Sequence, residues 1–285
     1  GVTSADDRIL TVAKSGGEFV SPLSAMNAIK DASCYRRYKI KIGPGRYYLG
    51  RRPLRIKPYV SVEGAGTEMT TLYGNVQGSL AGLVRITSNS ELSHVTVINN
   101  GYNNGHRNQY NAIYVNPGHG TGPSIRHVEA RSLVPSDYDY GTGIFIFRNS
   151  PRLEDVGTYG KSYGIFINHS SPTLYRVRAS AGFDAGSEAV AGAGIYNNKS
   201  TVDMDRVSAS GYVNIGYGDG LVNRDGSHAY VKDSILGGWI YNDSSSSALF
   251  WNSRLKEAVF EGGNFTCLDS YGDDHTKPLS TSCQE

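Results

Sequence analysis

The chain has 285 residues, 39% hydrophobic and 19% charged, with 35 Gly, 20 Tyr and 3 Cys. That length fits one large domain or two ordinary ones, and the aromatic content keeps it out of the disordered class. A net charge of +2 gives no field for holding nucleic acid, and without an apolar run of about 18 residues nothing is expected to insert in a membrane. Residue 1 is Gly with no apolar signal region after it, the pattern expected of a processed chain.

The first predicted element is a helix over residues 21–32. Ser21 is placed to N-cap it, Pro22 suits its first turn, and Leu23, Met26 and Ile29 share one face. Cys34 follows. It has no His near it in sequence, and it reads as a small core hydrophobe.

From about residue 82 a repeat takes over. Gly143-Ile-Phe-Ile-Phe-Arg-Asn-Ser-Pro151 with Leu153 and Val156 is followed by Gly164-Ile-Phe-Ile-Asn-His-Ser-Ser-Pro172 with Leu174 and Val177. Looser copies begin at Gly82, Ala112, Gly194, Gly220 and Trp239. Each copy reads as two short alternating strands joined by a sharp turn. Strands so short cannot bury a face alone, but stacked in register they form a parallel β-solenoid. Ile113, Ile144, Ile165, Ile195, Leu221 and Ile240 then pile into one core. Inward Asn and Ser at the turns bond the coils above and below. The fold expected is all-β, a single-stranded parallel β-helix with an N-terminal helical cap. It is one continuous domain: residues 1–75 as cap and first rungs, 76–250 as central rungs, and 251–285 as C-terminal cap. Ser244–Ser247 reads as a short loop. Cys267 and Cys283 bracket the last segment, where a disulfide would pin the chain end; the alternative is two reduced thiols.

Side chains alternate along a strand, so the residue after each inward Ile points outward. That column reads Tyr114, Phe145, Phe166, Tyr196, Val222, Tyr241. Adjacent rungs are about 4.8 Å apart, which lets the rings form a stripe. Sugars stack on such faces, so Tyr114, Phe145, Phe166, Tyr196 and Tyr241 are the candidate ligand-binding residues. The alternative is a stripe covered by loops or by another copy of the chain.

The first third of the chain resembles pectin methylesterases. The residues are Thr11 through Phe19, Ala28-Ile29, Ile40-Lys-Ile-Gly-Pro-Gly-Arg-Tyr47, Lys57-Pro-Tyr-Val-Ser-Val-Glu-Gly-Ala-Gly66, Thr70-Thr71 and Val95 through Asn100. The resemblance implies the right-handed pectin-lyase-like β-helix. Its esterase residues do not carry over. Asn111 stands where that family has Gln, no Asp occurs in Tyr140-Gly-Thr-Gly-Ile144, and Tyr163 replaces the second Asp. The Leu-Gly-Arg-Pro-Trp motif is absent. Pectate lyases of this fold hold Ca²⁺ with carboxylates and use Arg as base. The corresponding candidates here are Asp137 and Asp139, with Asp184, Glu188 and Asp219 on later insertions and Arg148 and Arg224 at strand ends. His106 and His119 flank the Asn111 strand as a weaker acid–base pair, whereas His94 and His127 hold equivalent positions and read as a ladder.

The expected function is therefore a non-catalytic extracellular or cell-surface module with no required cofactor and Ca²⁺ as the one metal to consider. It either binds a polysaccharide or serves, with further copies of itself, as a structural unit of an extracellular assembly. The competing expectation is a polysaccharide lyase, hydrolase or carbohydrate esterase. A carboxylate pair, or a carboxylate with Arg, beside the ring column would favour the enzyme.

Overall fold

The computed structural model describes residues 8–101, 109–118, 120–134, 140–183, 192–213, 218–272 and 278–283. The chain is a parallel β-helix. Successive coils each give one strand to three faces. Sheet 1 runs from Arg8–Val12 through Tyr38–Ile42, Val60–Gly64, Thr173–Tyr175, Thr201–Asp205 and His228–Lys232. Sheet 2 holds Gly45–Gly50, Thr70–Gly74, Arg178–Phe183 and Ser208–Val213. Sheet 3 holds Val84–Ile86, Gln109–Val115, Tyr140–Phe147, Tyr163–Asn168, Ala193–Asn198 and Asp219–Arg224. Longer strands such as Arg152–Gly160 bend from sheet 1 into sheet 2.

Sequence alone suggests two strands per coil; the structure has three. Sheet 2 is the one missed. Its inward positions in the upper coils are Ala179, Ala181 and Ala209, and so small a set gives little hydrophobic alternation to read.

The bend between sheets 1 and 2 is one residue in the left-handed region. His94, His127, Asp155, Arg176, Arg206, Asp233, Asn252 and Asp269 occupy it in turn. Such a conformation costs a non-glycine residue about 1 kcal/mol. It also rotates the next side chain inward: Val95, Val128, Val156, Val177 and Val207, then Ser234, Ser253 and Ser270, are all buried. The valines bring burial, and the serines bring bonds. Ser234 Oγ accepts from Val207 N at 3.0 Å, Ser253 Oγ from Ser234 N at 3.3 Å, and Ser270 Oγ from Ser253 N at 3.2 Å.

A second ladder lines the corner between sheets 3 and 1. Ser170, Ser200, Ser227 and Ser246 each accept from the backbone N–H one coil below, at 2.9–3.3 Å. Ser244–Ser247 is therefore no separate loop. It lies within Ile235–Trp251, and Ser246 takes the ladder position. Inside sheet 3, Asn197, Asn223 and Asn242 are fully buried and bonded in series. Asn197 Nδ2 donates to Asn223 Oδ1 at 2.9 Å, and Asn223 Nδ2 to Asn242 Oδ1 at 2.7 Å. The bonds satisfy the amide oxygens of Asn223 and Asn242, which is how a polar column tolerates an apolar interior, and leave Asn197 Oδ1 at the end of the series without a partner among the described residues.

The repeat's glycine has a steric cause. A Cβ on Gly164 would lie 2.6 Å from the carbonyl oxygen of Gly194, because the backbones of successive coils crowd there. The core is the expected aliphatic stack: Ile113, Ile144, Ile165, Ile195, Leu221 and Ile240 are all fully buried.

The helix spans Pro22–Ala28, shorter than expected, with Ile29 already extended. Lys57 Nζ ends it by donating to the carbonyls of Met26, at 3.0 Å, and Ile29. Ala25, Met26 and Ile29 are buried against the core. Cys267 and Cys283 form a disulfide. Cys34 is exposed rather than in the core. It sits in a tight bend closed by paired Ser33 and Arg36 backbones, which turns its side chain out.

Candidate functional site on sheet 3

The outward column of sheet 3 is in register as expected: Tyr114, Phe145, Phe166, Tyr196, Val222 and Tyr241 pair in sequence from coil to coil. It extends at both ends. Arg85 pairs with Tyr114 below, and Glu261 with Tyr241 above. The ring centroids of Tyr114 and Phe145 lie 5.4 Å apart, those of Phe145 and Phe166 are stacked at 4.8 Å, and Phe166 meets Tyr196 edge-on at 5.1 Å.

The column is not uniformly open. Tyr114 is 2% exposed and Phe145 4%. Phe147 also packs on Phe145 at 6.1 Å, and the Arg85 guanidinium covers Tyr114 at 5.5 Å. Phe166, Tyr196 and Tyr241 remain half-buried, each offering part of a face. Tyr163 leans into this upper part, 5.3 Å from Phe166 and 5.1 Å from Tyr196. Burial, then the nearby Tyr196, pushes its phenol up to about 12.

A polar flank runs beside the rings. Asn168, Asn198 and Arg224 pair in register. Asn198 Nδ2 donates to Asn168 Oδ1 at 3.3 Å, and the Arg224 guanidinium lies 5.0 Å over Tyr241. At the adjoining corner, Arg148, His169 and Lys199 occupy successive coils in the left-handed conformation and line a cleft of about 560 Å³. The Arg148 guanidinium stacks on Phe147 at 5.1 Å, and His169 lies within 6.4 Å of the same ring. This row of nitrogen-bearing side chains thus adjoins the ring column.

The esterase positions fall in a second column. Asn111, Thr142 and Tyr163 pair with one another, and the column continues through Ala193 to Asp219 and Trp239. Asn111 is fully buried, and its amide donates to the Ala81 carbonyl at 2.6 Å. It is thereby committed to holding the preceding segment. No carboxylate stands at the positions of Asn111, Thr142 or Tyr163.

Asp219 is the residue that sequence reasoning misplaced. It begins the strand Asp219–Arg224 and is not on an insertion. The signal was present: Thr142, Tyr163, Ala193 and Asp219 each precede the repeat's Gly. Burial lifts its carboxyl to about 6, the charge of Glu261 adds to that, and Arg224 opposes it. A half-buried carboxylate that titrates near neutrality can give or take a proton.

Several expected residues fall elsewhere. Asp137, Asp139, His106, His119, Asp184 and Glu188 lie outside the described residues. Among the described residues, no group of three His, Cys, Asp or Glu side chains is arranged for a metal. His94 and His127 lie with ring centroids 4.7 Å apart, tilted by 36°, in the bend between sheets 1 and 2, away from the ring column.

With this geometry in hand, solved structures place the fold. The chain aligns over 99% of its length with pectin methylesterase PemA from Erwinia chrysanthemi, covering 93% of that chain, at 13% identity and a TM-score of 0.54. A pectin methylesterase in complex with a hexasaccharide matches over 99% and 93% of the two chains at 15% identity and 0.52. Pectate lyase Pel9A matches over 99% and 83% at 14% identity and 0.51. The fold is the pectin-lyase-like parallel β-helix. At these identities the likeness speaks for the fold alone. No protein-family model matches the chain, and no curated protein matches it.

Proposed function

We propose that this β-helix is an extracellular module that binds a polysaccharide lengthwise along sheet 3. The observation that carries the reading is the half-open ring face of Phe166, Tyr196 and Tyr241, flanked in register by Asn168, Asn198 and Arg224. Aromatic faces take the apolar side of a sugar ring, and amides and guanidinium take its hydroxyls. Arg148 and Lys199 at the adjoining corner favour a polysaccharide that carries acidic groups. A neighbour of this fold that was solved with a hexasaccharide supports the same class of ligand. The disulfide suits an oxidising compartment. Among the described residues, no helix is long and apolar enough to cross a membrane. The helix Pro22–Ala28 serves in this reading as the N-terminal cap, and no cofactor enters it.

The test is retardation in gels cast with neutral and acidic polysaccharides. Retardation that is lost in Tyr196→Ala and Arg224→Ala supports the reading; unchanged mobility of the unmodified protein in every gel sinks it.

A second reading, a polysaccharide-active enzyme, draws on one specific observation. Asp219, with its raised carboxyl, lies on the column that carries Tyr163 and shares a strand with Arg224. Incubation with the same polysaccharides, followed by mass spectrometry, separates the two readings. New oligosaccharides, or released methanol or acetate, that vanish in Asp219→Asn would establish the enzyme.

A further inference from the structure

Sheet 2 carries a groove of about 620 Å³ on its outer face, separate from the ring column. That volume suits a small ligand. Two outward columns form it. One reads Glu129, Gly157, Arg178, Ser208, and the other reads Arg131, Tyr159, Ser180, Ser210.

Within it an ion pair spans a whole coil. Arg178 Nη2 donates to Glu129 Oε1 at 2.9 Å although Gly157 stands between them in the column. The Glu129 carboxylate lies directly over Gly157, where a Cβ would be 2.3 Å from one of its oxygens. Arg131 Nη2 lies 3.8 Å from the other oxygen. Tyr159 lies over Gly182 in the same manner, where a Cβ would be 2.7 Å from its hydroxyl, and the ring stays 36% exposed. Two floor positions without side chains therefore let a carboxylate and a ring lie flat on the sheet. Folding gives little reason for this, since an exposed ion pair contributes about 0–1 kcal/mol.

We propose that this groove is a second saccharide site, for a pyranose bearing vicinal hydroxyls. The ionised carboxylate only accepts and the guanidinium only donates. Adjacent hydroxyls do both, so a diol bridges Glu129 and Arg178 while the sugar face rests on Tyr159. Ser208 and Ser210, both exposed, leave the floor shallow enough for the ring to enter. The proposal stands independently of the sheet 3 reading.

The experiment is an amide-detected NMR titration with two linear hexasaccharides, one neutral and one built of uronic acids. Saturable shifts are expected at Glu129, Gly157, Tyr159, Arg178 and Ser208 with at least one of them. Ser208→Trp, which fills the floor, removes those shifts and leaves any response at Phe166 and Tyr196 unchanged. Should that variant fail to fold, Glu129→Gln keeps the shape, loses the charged acceptor and is expected to weaken the shifts at least tenfold. Two results overturn the proposal: no saturable shift on sheet 2 with either sugar up to about 10 mM, or shifts of full size in both variants. Shifts confined to sheet 3 would refute this site and keep the other reading, and shifts confined to sheet 2 would do the reverse.

Discussion

The lower and upper halves of the sheet 3 ring column share one register but not one environment. Tyr114 and Phe145 are buried beneath Arg85 and Phe147, whereas Phe166, Tyr196 and Tyr241 keep part of their faces open. An outward aromatic can thus belong to the packing of the molecule on one coil and to its binding surface on the next. Outward direction is a property of the strand; exposure is set by what lies over it. The sharpest test is Phe145→Ala. Phe145 has aromatic neighbours on three sides, so its loss should destabilise the protein by about 3 kcal/mol in a urea titration. Polysaccharide retardation should stay unchanged under conditions where the variant is folded. A loss below about 1 kcal/mol would erase the distinction between the halves.

The next effect in size belongs to the interior polar column. In Asn223→Ala, Asn242 Oδ1 loses its donor in the core, while Asn197 Nδ2 keeps the carbonyls of Ser200 and His228. A buried polar group left without its partner costs about 1–3 kcal/mol. The expected drop is about 2 kcal/mol, measured the same way. A neutral result would mean that water replaces the amide and that the ladder does not specify the register.

Tyr196→Ala tests the open half. The ring is only half-buried, so stability should fall by less than in Phe145→Ala. Affinity for the retained polysaccharide should drop about tenfold, equivalent to about 1.4 kcal/mol. Equal losses of stability in Tyr196→Ala and Phe145→Ala, with binding intact, would assign the whole column to packing.

The repeat made the solenoid legible because Gly-Ile and Gly-Leu recur wherever backbones crowd and an aliphatic side chain enters the core. Ile144, Ile165 and Ile195 could be placed from spacing alone. The same rule applied one residue earlier would have found Asp219 on a strand. Sheet 2 stayed hidden because Ala179, Ala181, Ser208 and Ser210 give little contrast between its inner and outer faces. The Glu129–Arg178 groove was hidden for a related reason. It joins residues 49 apart in sequence, and its floor is defined by the side chain that Gly157 lacks. Cys34 was misread because its exposure follows from a local bend and not from its chemistry.

The smallest predicted effect has an unusual sign. The Asp219 carboxyl is raised from 3.8 to about 6 in the folded protein, chiefly by burial and next by Glu261. The folded state therefore holds a proton that the unfolded state releases between about pH 4 and pH 6. Stability contributed by that proton is complete below pH 4 and is lost as pH rises through 6. Asp219→Asn removes the ionisation, so it should stabilise the protein at pH 7 by about 1 kcal/mol, after discount for partial exposure, and change little at pH 4. Urea midpoints at the two pH values read this directly. A variant that is less stable at pH 7 would mean that ionised Asp219 is held by Arg224 more strongly than burial penalises it. The upper half of sheet 3 would then carry a fixed anion in place of a group that exchanges its proton near neutrality, and the enzymatic reading would lose its acid–base residue.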